Sequence, residues 1–369
     1  MKVLFLANVP SPYRVDFFNE LGKYCNLTVL FEKATSDERD QSWGNYKFHN
    51  FKGVILSGKS INTDTAFCPS ALKYILNPSF DRIICATFTD VTGMLAVQIM
   101  KLVHIPYYLE CDGGFAKTGK GIKEKIKKRI ICGATGYFST GRICDEYYIT
   151  YGAETSKLIR YPFSSLKQSD LVQTVPSADE KRRLKKELDI KEKKVILAVG
   201  QFIYRKGFDI LMAAVRDIPK DVGIYFVGGI PTKEYLLERD EKNLSNVHFE
   251  GFKLKRDLEK YYKAADLFVL PTREDIWGLV VQEAMAYGLP VISTDKCAAA
   301  LELIKHDENG YIFPSENVDL LKKYIQAIIS SEDVARKFGA KSLEIIKSFT
   351  IEKMVECHLN YLQIGEKFR

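Results

Sequence analysis

The sequence predicts an α/β chain of two domains, each a parallel sheet covered by helices. Three observations predict it. Short apolar runs alternate with amphipathic helical segments from end to end, the pattern of strands joined by helical crossovers. The alternation breaks once, over a polar stretch near the middle, and then resumes. The length, 369 residues, exceeds one ordinary domain and suits two, each able to hold its own core. With 46% hydrophobic and 27% charged residues, the composition is that of a soluble globular protein.

The first strand falls at Val3 to Ala7. The run from Val3 to Asn8 meets Pro10 without any cleavage-type segment, so it reads as a strand rather than a secretory leader, and a cytosolic protein is expected. Further strands are expected at Leu27 to Phe31, Arg82 to Ala86, Tyr107 to Glu110, Tyr137 to Ser139 and Leu158 to Tyr161. Helices fit between them at Val15 to Tyr24, Val91 to Val103 and Arg142 to Tyr151. From Ser164 to Lys193 the chain turns polar, with Pro176 and a lysine-rich run from Glu180 to Glu187, which reads as a linker carrying one short solvated helix. The alternation restarts at Val195 to Val199, with strands at Gly223 to Val227, Val247 to Phe249, Asp266 to Leu270, Val291 to Ser293 and Tyr311 to Phe313. Thr350 to Gly365 has helical spacing. The expected division is a first domain over 1–165, a linker over 166–192, a second domain over 193–348 and a terminal helix over 349–369.

No apolar run approaches the roughly 20 residues that cross a bilayer. The eight cysteines are scattered without a Cys-x-x-Cys pair or a histidine spaced to complete a zinc site, so they read as reduced, structural residues. A net charge of +7 suggests only some liking for anionic partners, and no nucleic-acid partner is expected.

The stretch from Arg273 to Val291 carries the most chemistry. It places Asp275 and Glu283 on either side of the point where a loop, following the strand that ends at Leu270, turns into a buried helix. In open parallel sheets the ligand crevice lies beyond the carboxyl ends of the strands, where helix starts aim unpaired N–H groups outward. Gly278 lets a phosphate come close to the backbone, and the N–H groups of Gly278, Leu279 and Val280 are the first candidate donors. Glu283, in the second turn, tilts back toward the helix start and can reach a sugar hydroxyl. Carboxylates accept from neutral diols rather than hold phosphate, so two acids flanking an anion site suggest a ligand with sugars on both sides of a phosphate, a nucleotide-sugar. The competing reading makes Asp275 a helix cap and Glu283 a solvated face residue.

This segment resembles the signature of the GT-B glycosyltransferases of family 4, the group 1 glycosyl transferases. Those retaining enzymes usually show two Glu separated by seven residues, then an Ala-Met-Ala-x-Gly-x-Pro-Val tail. Here Asp275 stands where the first Glu is usual, and Glu274 beside it is an alternative functional acid. The resemblance covers nearly the whole chain, with its specific motifs between Val195 and Phe313. It implies two Rossmann-like domains facing across a cleft, with the terminal helix crossing back to brace the first.

A second cluster runs from Ala198 to Leu211: a strand ending at Gly200 and a helix opening near Gly207, with Arg205 and Lys206 between. Two cations there would neutralise a diphosphate and stabilise charge building on it as it leaves. The family usually has Arg just after the first Gly. Gln201 occupies that position here, Lys206 matches the family's Lys, and Arg205 is assigned as the second cation. A solvated Arg-Lys turn is the competing reading. Asp-x-Asp, the usual carboxylate pair for a divalent metal on a nucleotide-sugar, is absent, so no metal and no cofactor beyond the donor are expected. In the family the loop matching Glu250 to Leu254 meets the nucleobase through its backbone. Phe252 would stack on the base or, as favoured, pack into the core. The stretches from Cys297 to Glu302 and Asn309 to Phe313 resemble the floor of the nucleotide pocket.

The first domain is expected to bring the acceptor. Its loops beyond strand ends are Val9 to Arg14 and Cys111 to Phe115, which lack the Gly-rich turn and the His often found in relatives. Asp112, followed by Gly113 and Gly114 in a tight turn, is the candidate for touching the reacting sugar, with a plain turn Asp as competitor. Tyr13 and Arg14 would grip an acceptor phosphate, or Arg14 would pair with Asp16. From Lys117 to Arg129 seven cations (Lys117, Lys120, Lys123, Lys125, Lys127, Lys128, Arg129) meet Glu124 alone, and Ile122, Ile126, Ile130 and Ile131 share a face. Such a helix suits anionic lipid heads at the inner face of the cell membrane, unless the isoleucines pack onto the sheet.

The expected activity is transfer of a sugar from a nucleoside diphosphate sugar to a hydroxyl of a glycan or lipid-linked acceptor in cell-surface polysaccharide synthesis. The resemblance, not the spacing, implies retention. Two alternatives are a GT-B nucleotide-sugar epimerase, which turns over donor without acceptor, and a non-catalytic sugar-nucleotide-binding subunit. A nicotinamide-dependent oxidoreductase is disfavoured because no Gly-x-Gly-x-x-Gly follows a strand.

Overall fold

The computed structural model of the chain describes residues 1–35, 47–117, 119 and 121–364. Lys120 and Gly365, included in the expectations above, lie outside the described residues. The fold divides into two compact units: Met1–Ser165 with Thr350–Arg369, and Leu166–Phe349.

The first unit contains β1 (Lys2–Ala7), β2 (Asn26–Phe31), β3 (Lys52–Ile55), β4 (Lys59–Ser60), β5 (Ala66–Phe67), β6 (Arg82–Cys85), β7 (Tyr108–Cys111), β8 (Gly136–Ser139) and β9 (Leu158–Arg160). Seven of them form one sheet in the order β3-β2-β1-β6-β7-β8-β9, and every pairing is parallel. β1 is an interior strand, paired on both sides, and Val3 to Leu6 are buried on both faces, which is why that strand reads as a continuous apolar run. The chain builds outward from β1 to β3 and then returns to the other side of β1 with β6. The loops after β1 and β6 therefore part at the carboxyl edge. β3 and the antiparallel β4–β5 hairpin were not legible as strands. β3 is a short edge strand with no fully buried residue, so it lacks the apolar run that marks its neighbours.

The second unit repeats the plan with β10 (Lys194–Val199), β11 (Val222–Val227), β12 (Val247–Glu250), β13 (Leu267–Leu270), β14 (Val291–Thr294) and β15 (Gly310–Phe313). Their order is β12-β11-β10-β13-β14-β15, again all parallel, with the reversal between β10 and β13. Asp266, expected inside β13, sits just before it. There it accepts from Lys181 at 2.8 Å, Lys185 at 3.0 Å and the Val195 N–H at 2.9 Å. Those two lysines belong to the helix Ala178–Glu187, whose start is capped by Ser177 accepting the Glu180 N–H. The helix expected to be solvated is thus tied to the second sheet, and its Leu184 is buried.

The last helix, Ile351–Ile364, belongs to the first unit and packs on the helix Pro12–Leu21. Met354, Val355, His358 and Leu362 supply its buried face, and Arg82 donates to the Leu362 carbonyl at 3.1 Å. Among the described residues no helix is long and apolar enough to cross a membrane.

Candidate functional site

The reversal between β10 and β13 sets two loops side by side at the carboxyl edge of the second sheet. The first leaves β10 at Gly200 (φ 152°), whose N–H bonds Val227 at 2.8 Å. It makes one tight turn over Tyr204–Lys206 and ends at Gly207 (φ 66°). A Cβ on Gly207 would lie 2.2 Å from the Pro271 carbonyl oxygen, so only glycine permits both the left-handed backbone and the approach of the second loop. The second loop then clasps the first. Thr272 Oγ1 and the Arg273 N–H both donate to the Arg205 carbonyl, at 2.7 and 2.8 Å.

Arg273 completes the clasp. Its guanidinium donates to the Tyr204 carbonyl at 2.8 Å and to both oxygens of Asp209 at 2.9 and 2.6 Å, with Glu316 on its far side. It also lies over the Tyr204 ring, 3.9 Å from the centroid. The hydrogen bonds it donates to Asp209 and Glu316 raise its pKa further above the ordinary arginine value.

This frame places the charges. Lys206 Nζ is 2.7 Å from Asp275 Oδ2, and Arg205 Nη1 is 3.7 Å from the same oxygen. Asp275 is buried and its backbone is pinned to the loop after β14: its N–H bonds Lys296 at 2.8 Å and its carbonyl accepts from Ala298 at 3.2 Å. Glu274 is exposed. It contributes its carbonyl, which Arg205 Nη1 reaches at 3.0 Å. Of the two adjacent acids it is Asp275 that meets the cations.

Gly278 (φ 101°) opens the helix Leu279–Ala286. A Cβ there would fall 2.6 Å from Cys297 Sγ, so the helix start is drawn tightly against the segment that also bridges Asp275. Burial pushes the Cys297 thiol up to about 12, which keeps it an inert packing group. The N–H groups of Leu279 and Val280 lie in the first turn. Glu283, half-buried one turn on, accepts from the Tyr262 hydroxyl at 2.9 Å. Burial raises its pKa, with the Tyr262 hydrogen bond and the charges of Lys255 and Lys206 pulling the other way. Lys206 therefore acts on both acids of the motif.

Phe252 is placed elsewhere than expected. Core packing was favoured for Phe252, yet it is 48% exposed, and Leu254 is 57% exposed. The chain has left the sheet at Glu250, and Gly251 stands in open space. Both residues follow β12, two strands from β10. A cavity of about 1150 Å³ opens at the amino ends of β10 and β13, where Lys181 and Lys185 hold Asp266. That is the edge away from Lys206, and parallel sheets bind ligands at the other one.

In the first unit, Asp112 and Gly113 (φ 136°) follow β7. Arg14 pairs with Asp112 through one guanidinium nitrogen and with Glu110 through the other. The Tyr13 hydroxyl also bonds Asp112. Arg14 is 5% exposed, so it is committed to two carboxylates and presents no open guanidinium for a phosphate. Both partners lie nearly a hundred residues away in sequence, so the pairing was not legible locally. Burial raises the Asp112 pKa, opposed by Arg14 and reinforced by Glu110. At Glu110 burial also acts upward, but the Arg14 charge and the hydrogen bond from His358 outweigh it and the net shift is down. Glu110, His358, Tyr262 and Arg273 were not singled out as site residues in the sequence, because each acquires its role from distant partners.

The helix Ile122–Ile131 splits its isoleucines. Ile130 and Ile131 are buried, whereas Ile122 is 77% and Ile126 46% exposed. Lys127 lies over the rings of Tyr147 and Tyr151 at 5.6 and 5.1 Å.

Comparison with known proteins gives a matching picture. Residues 180–344 match the family model described as glycosyl transferases group 1. An uncharacterized glycosyltransferase of Haemophilus influenzae is 29% identical over 175 residues, 45% of this chain and 48% of that protein. A GDP-mannose-dependent alpha-(1-6)-phosphatidylinositol monomannoside mannosyltransferase of Mycobacterium tuberculosis is 28% identical over 181 residues, 46% of this chain and 47% of that protein. The matched segments span about half the length of these curated relatives. Among solved structures, Anabaena HepE in complex with UDP superposes with a TM-score of 0.79 at 18% identity, covering 100% of this chain and 99% of that one. Sucrose-phosphate synthase of Thermosynechococcus elongatus does so with a TM-score of 0.77 at 19% identity, covering 100% of both. The chain therefore has the GT-B fold along its whole length and carries, over residues 180–344, a match to the group 1 glycosyl transferases.

Proposed function

We propose that this chain is a glycosyltransferase that moves a sugar from a nucleoside diphosphate sugar to a hydroxyl of a glycan or lipid-linked acceptor, with retention of anomeric configuration. One observation carries the reading: loops from adjacent strands bring Lys206 and Arg205 onto a single oxygen of Asp275, beside the start of the helix that bears Glu283. Two cations and a helix start suit a diphosphate, and the two carboxylates suit sugar hydroxyls. The Mycobacterium tuberculosis relative, named for a GDP-mannose donor and a phosphatidylinositol-based acceptor, supports a nucleotide-sugar donor and a lipid-linked acceptor.

In the proposed reaction the bond from the sugar's anomeric carbon to the diphosphate breaks and a bond to the acceptor oxygen forms. Lys206 and Arg205 stabilise the charge that collects on the leaving diphosphate. A phosphate oxygen takes the acceptor's proton on the same face, so no protein nucleophile is required. Asp275 and Glu283 orient the sugar. On the first unit Asp112, held by Arg14 and Tyr13, is assigned to the acceptor. Metal-independent transfer is part of this reading, and activity lost to a chelator and restored by manganese would overturn that part. We place the protein in the cytoplasm at the inner face of the membrane, where the lysines and exposed Ile122 and Ile126 would meet anionic lipid. Failure to float with anionic liposomes at low salt would overturn the membrane contact.

The activity test is release of nucleoside diphosphate from a panel of UDP-, GDP- and dTDP-sugars, with and without membrane extract. Glu283→Ala and Asp275→Asn are each expected to lower transfer at least about tenfold, the scale of a lost charged hydrogen bond. Unchanged rates in both variants would refute the site.

A further inference from the structure

The two cations assigned to the diphosphate already have an anion. Lys206 Nζ and Arg205 Nη1 converge on Asp275 Oδ2, at 2.7 and 3.7 Å, while Asp275 Oδ1 carries no hydrogen bond among the described residues. The Asp275 side chain is 11% exposed and that of Lys206 14%, so this contact is shielded from the solvent that weakens surface pairs. The backbone of Asp275 is fixed by its bridge to Lys296 and Ala298, which leaves the side-chain torsions as its freedom to move.

We infer that Asp275 is a specificity device that reports sugar occupancy to the phosphate cations. This rests on the donor reading given above. With no sugar present, the Asp275 carboxylate neutralises Lys206, and a bare nucleoside diphosphate must displace it to bind. When a sugar is present its hydroxyls become hydrogen-bond partners for the carboxylate, which leaves Lys206 and frees both cations for the diphosphate. Charge alone favours the opposite order, because a bare diphosphate is more negative than its sugar ester and is attracted more strongly by two fixed cations. Asp275 reverses that order, so that intact donor is held and spent nucleotide is expelled. The coupling is reciprocal: what the sugar contributes to phosphate binding, the phosphates contribute to sugar binding.

The test measures binding and needs no acceptor. Affinities of the full chain for UDP, UDP-glucose, GDP and GDP-mannose are compared by calorimetry for wild type, Asp275→Asn, Asp275→Glu and Lys206→Ala. Asn keeps the size of the side chain and the backbone bridge, and an unchanged melting temperature verifies the fold. Wild type is expected to bind one of the sugar nucleotides at least as tightly as its bare diphosphate. Asp275→Asn is expected to bind the bare diphosphate about tenfold more tightly than wild type, the scale of removing one competing charged contact, and to lose the preference for the sugar ester. Asp275→Glu keeps the charge and is expected to keep the wild-type order. A bare diphosphate bound equally or more weakly by Asp275→Asn overturns the inference while leaving the donor site standing. Failure of wild type to bind any of the four, or affinities unchanged in Lys206→Ala, overturns the donor reading itself.

Discussion

Glu110 and His358 stand 248 residues apart in sequence and 2.9 Å apart in the fold, both without side-chain exposure. The other ring nitrogen of His358 faces the Met354 carbonyl at 2.7 Å, and the ring stacks on Phe138 at 4.3 Å. The second carboxylate oxygen of Glu110 holds Arg14. A single buried acid thus joins the opening helix of the chain to its last one.

Glu110→Gln leaves the buried Arg14 guanidinium with only Asp112 to neutralise it. Breaking a buried pair from one side costs about 3 kcal/mol, and urea unfolding of wild type and variant at neutral pH measures it. The folded-state pKa of Glu110 is depressed below 4.5. Its contribution is therefore fully present above that value and lost as pH falls through the folded pKa. Wild type is expected to lose stability in acid more steeply than the Gln variant.

Glu32, buried at the end of β2, shows the opposite sign. Burial pushes its carboxyl up to about 7, against the Ala66 N–H that it accepts at 3.0 Å. Because the folded state holds this proton more tightly than the unfolded chain, the stabilising contribution is complete below 4.5 and disappears as pH rises through about 7. Glu32→Gln keeps an acceptor for Ala66 and does not titrate. Denaturation at pH 4 and pH 8 is expected to show no gain over wild type in acid and a gain of about 2 to 3 kcal/mol in base. Asp90, pushed up by burial to about 6, leaves a residual slope in the variant.

Arg273 touches no proposed ligand atom, yet it fixes the turn that carries Arg205 and Lys206 through Tyr204, Asp209 and Glu316. Arg273→Ala is expected to weaken nucleoside diphosphate binding about tenfold, the scale of two lost hydrogen bonds to a charged group. Lysine, which cannot span Asp209 and Glu316 with a planar fork, is expected to recover only part of it. Equal affinity in wild type and Arg273→Ala would show that the turn holds itself.

Gly278→Ala meets two separate obstacles, a φ of 101° and the Cys297 sulfur 2.6 Å from the new methyl. The variant is expected to lose about 2 kcal/mol and most of its transfer activity. Adding Cys297→Ala relieves only the steric part, so a double variant recovering full stability in thermal melts would contradict the backbone argument.

The strands were legible wherever burial on both faces wrote an unbroken apolar run, as at Val3 to Leu6 and Val195 to Ala198. They were invisible where an edge position removed that demand, as at Lys52–Ile55. The nearness of Lys206 to Asp275 was legible because each lies in a loop following a strand end, where a diphosphate site was expected; their direct pairing was not. Arg14 could not be placed, since nothing local distinguishes a buried arginine from an exposed one when its partners arrive from β7. Phe252 was misread by its residue type: an aromatic side chain suggested core, but its neighbour Gly251 and the approaching start of the helix Lys255–Ala264 left it on a projecting loop.

The return of Ile351–Ile364 to the first unit also bears on synthesis. While the ribosome is still translating the middle of the gene, Glu110 has no imidazole beside it and the opening helix has nothing to lean on. The uninterrupted stretch Leu166–Phe349 is complete before the tail is made. Closure of the first unit therefore draws on residues made only after the whole of the second.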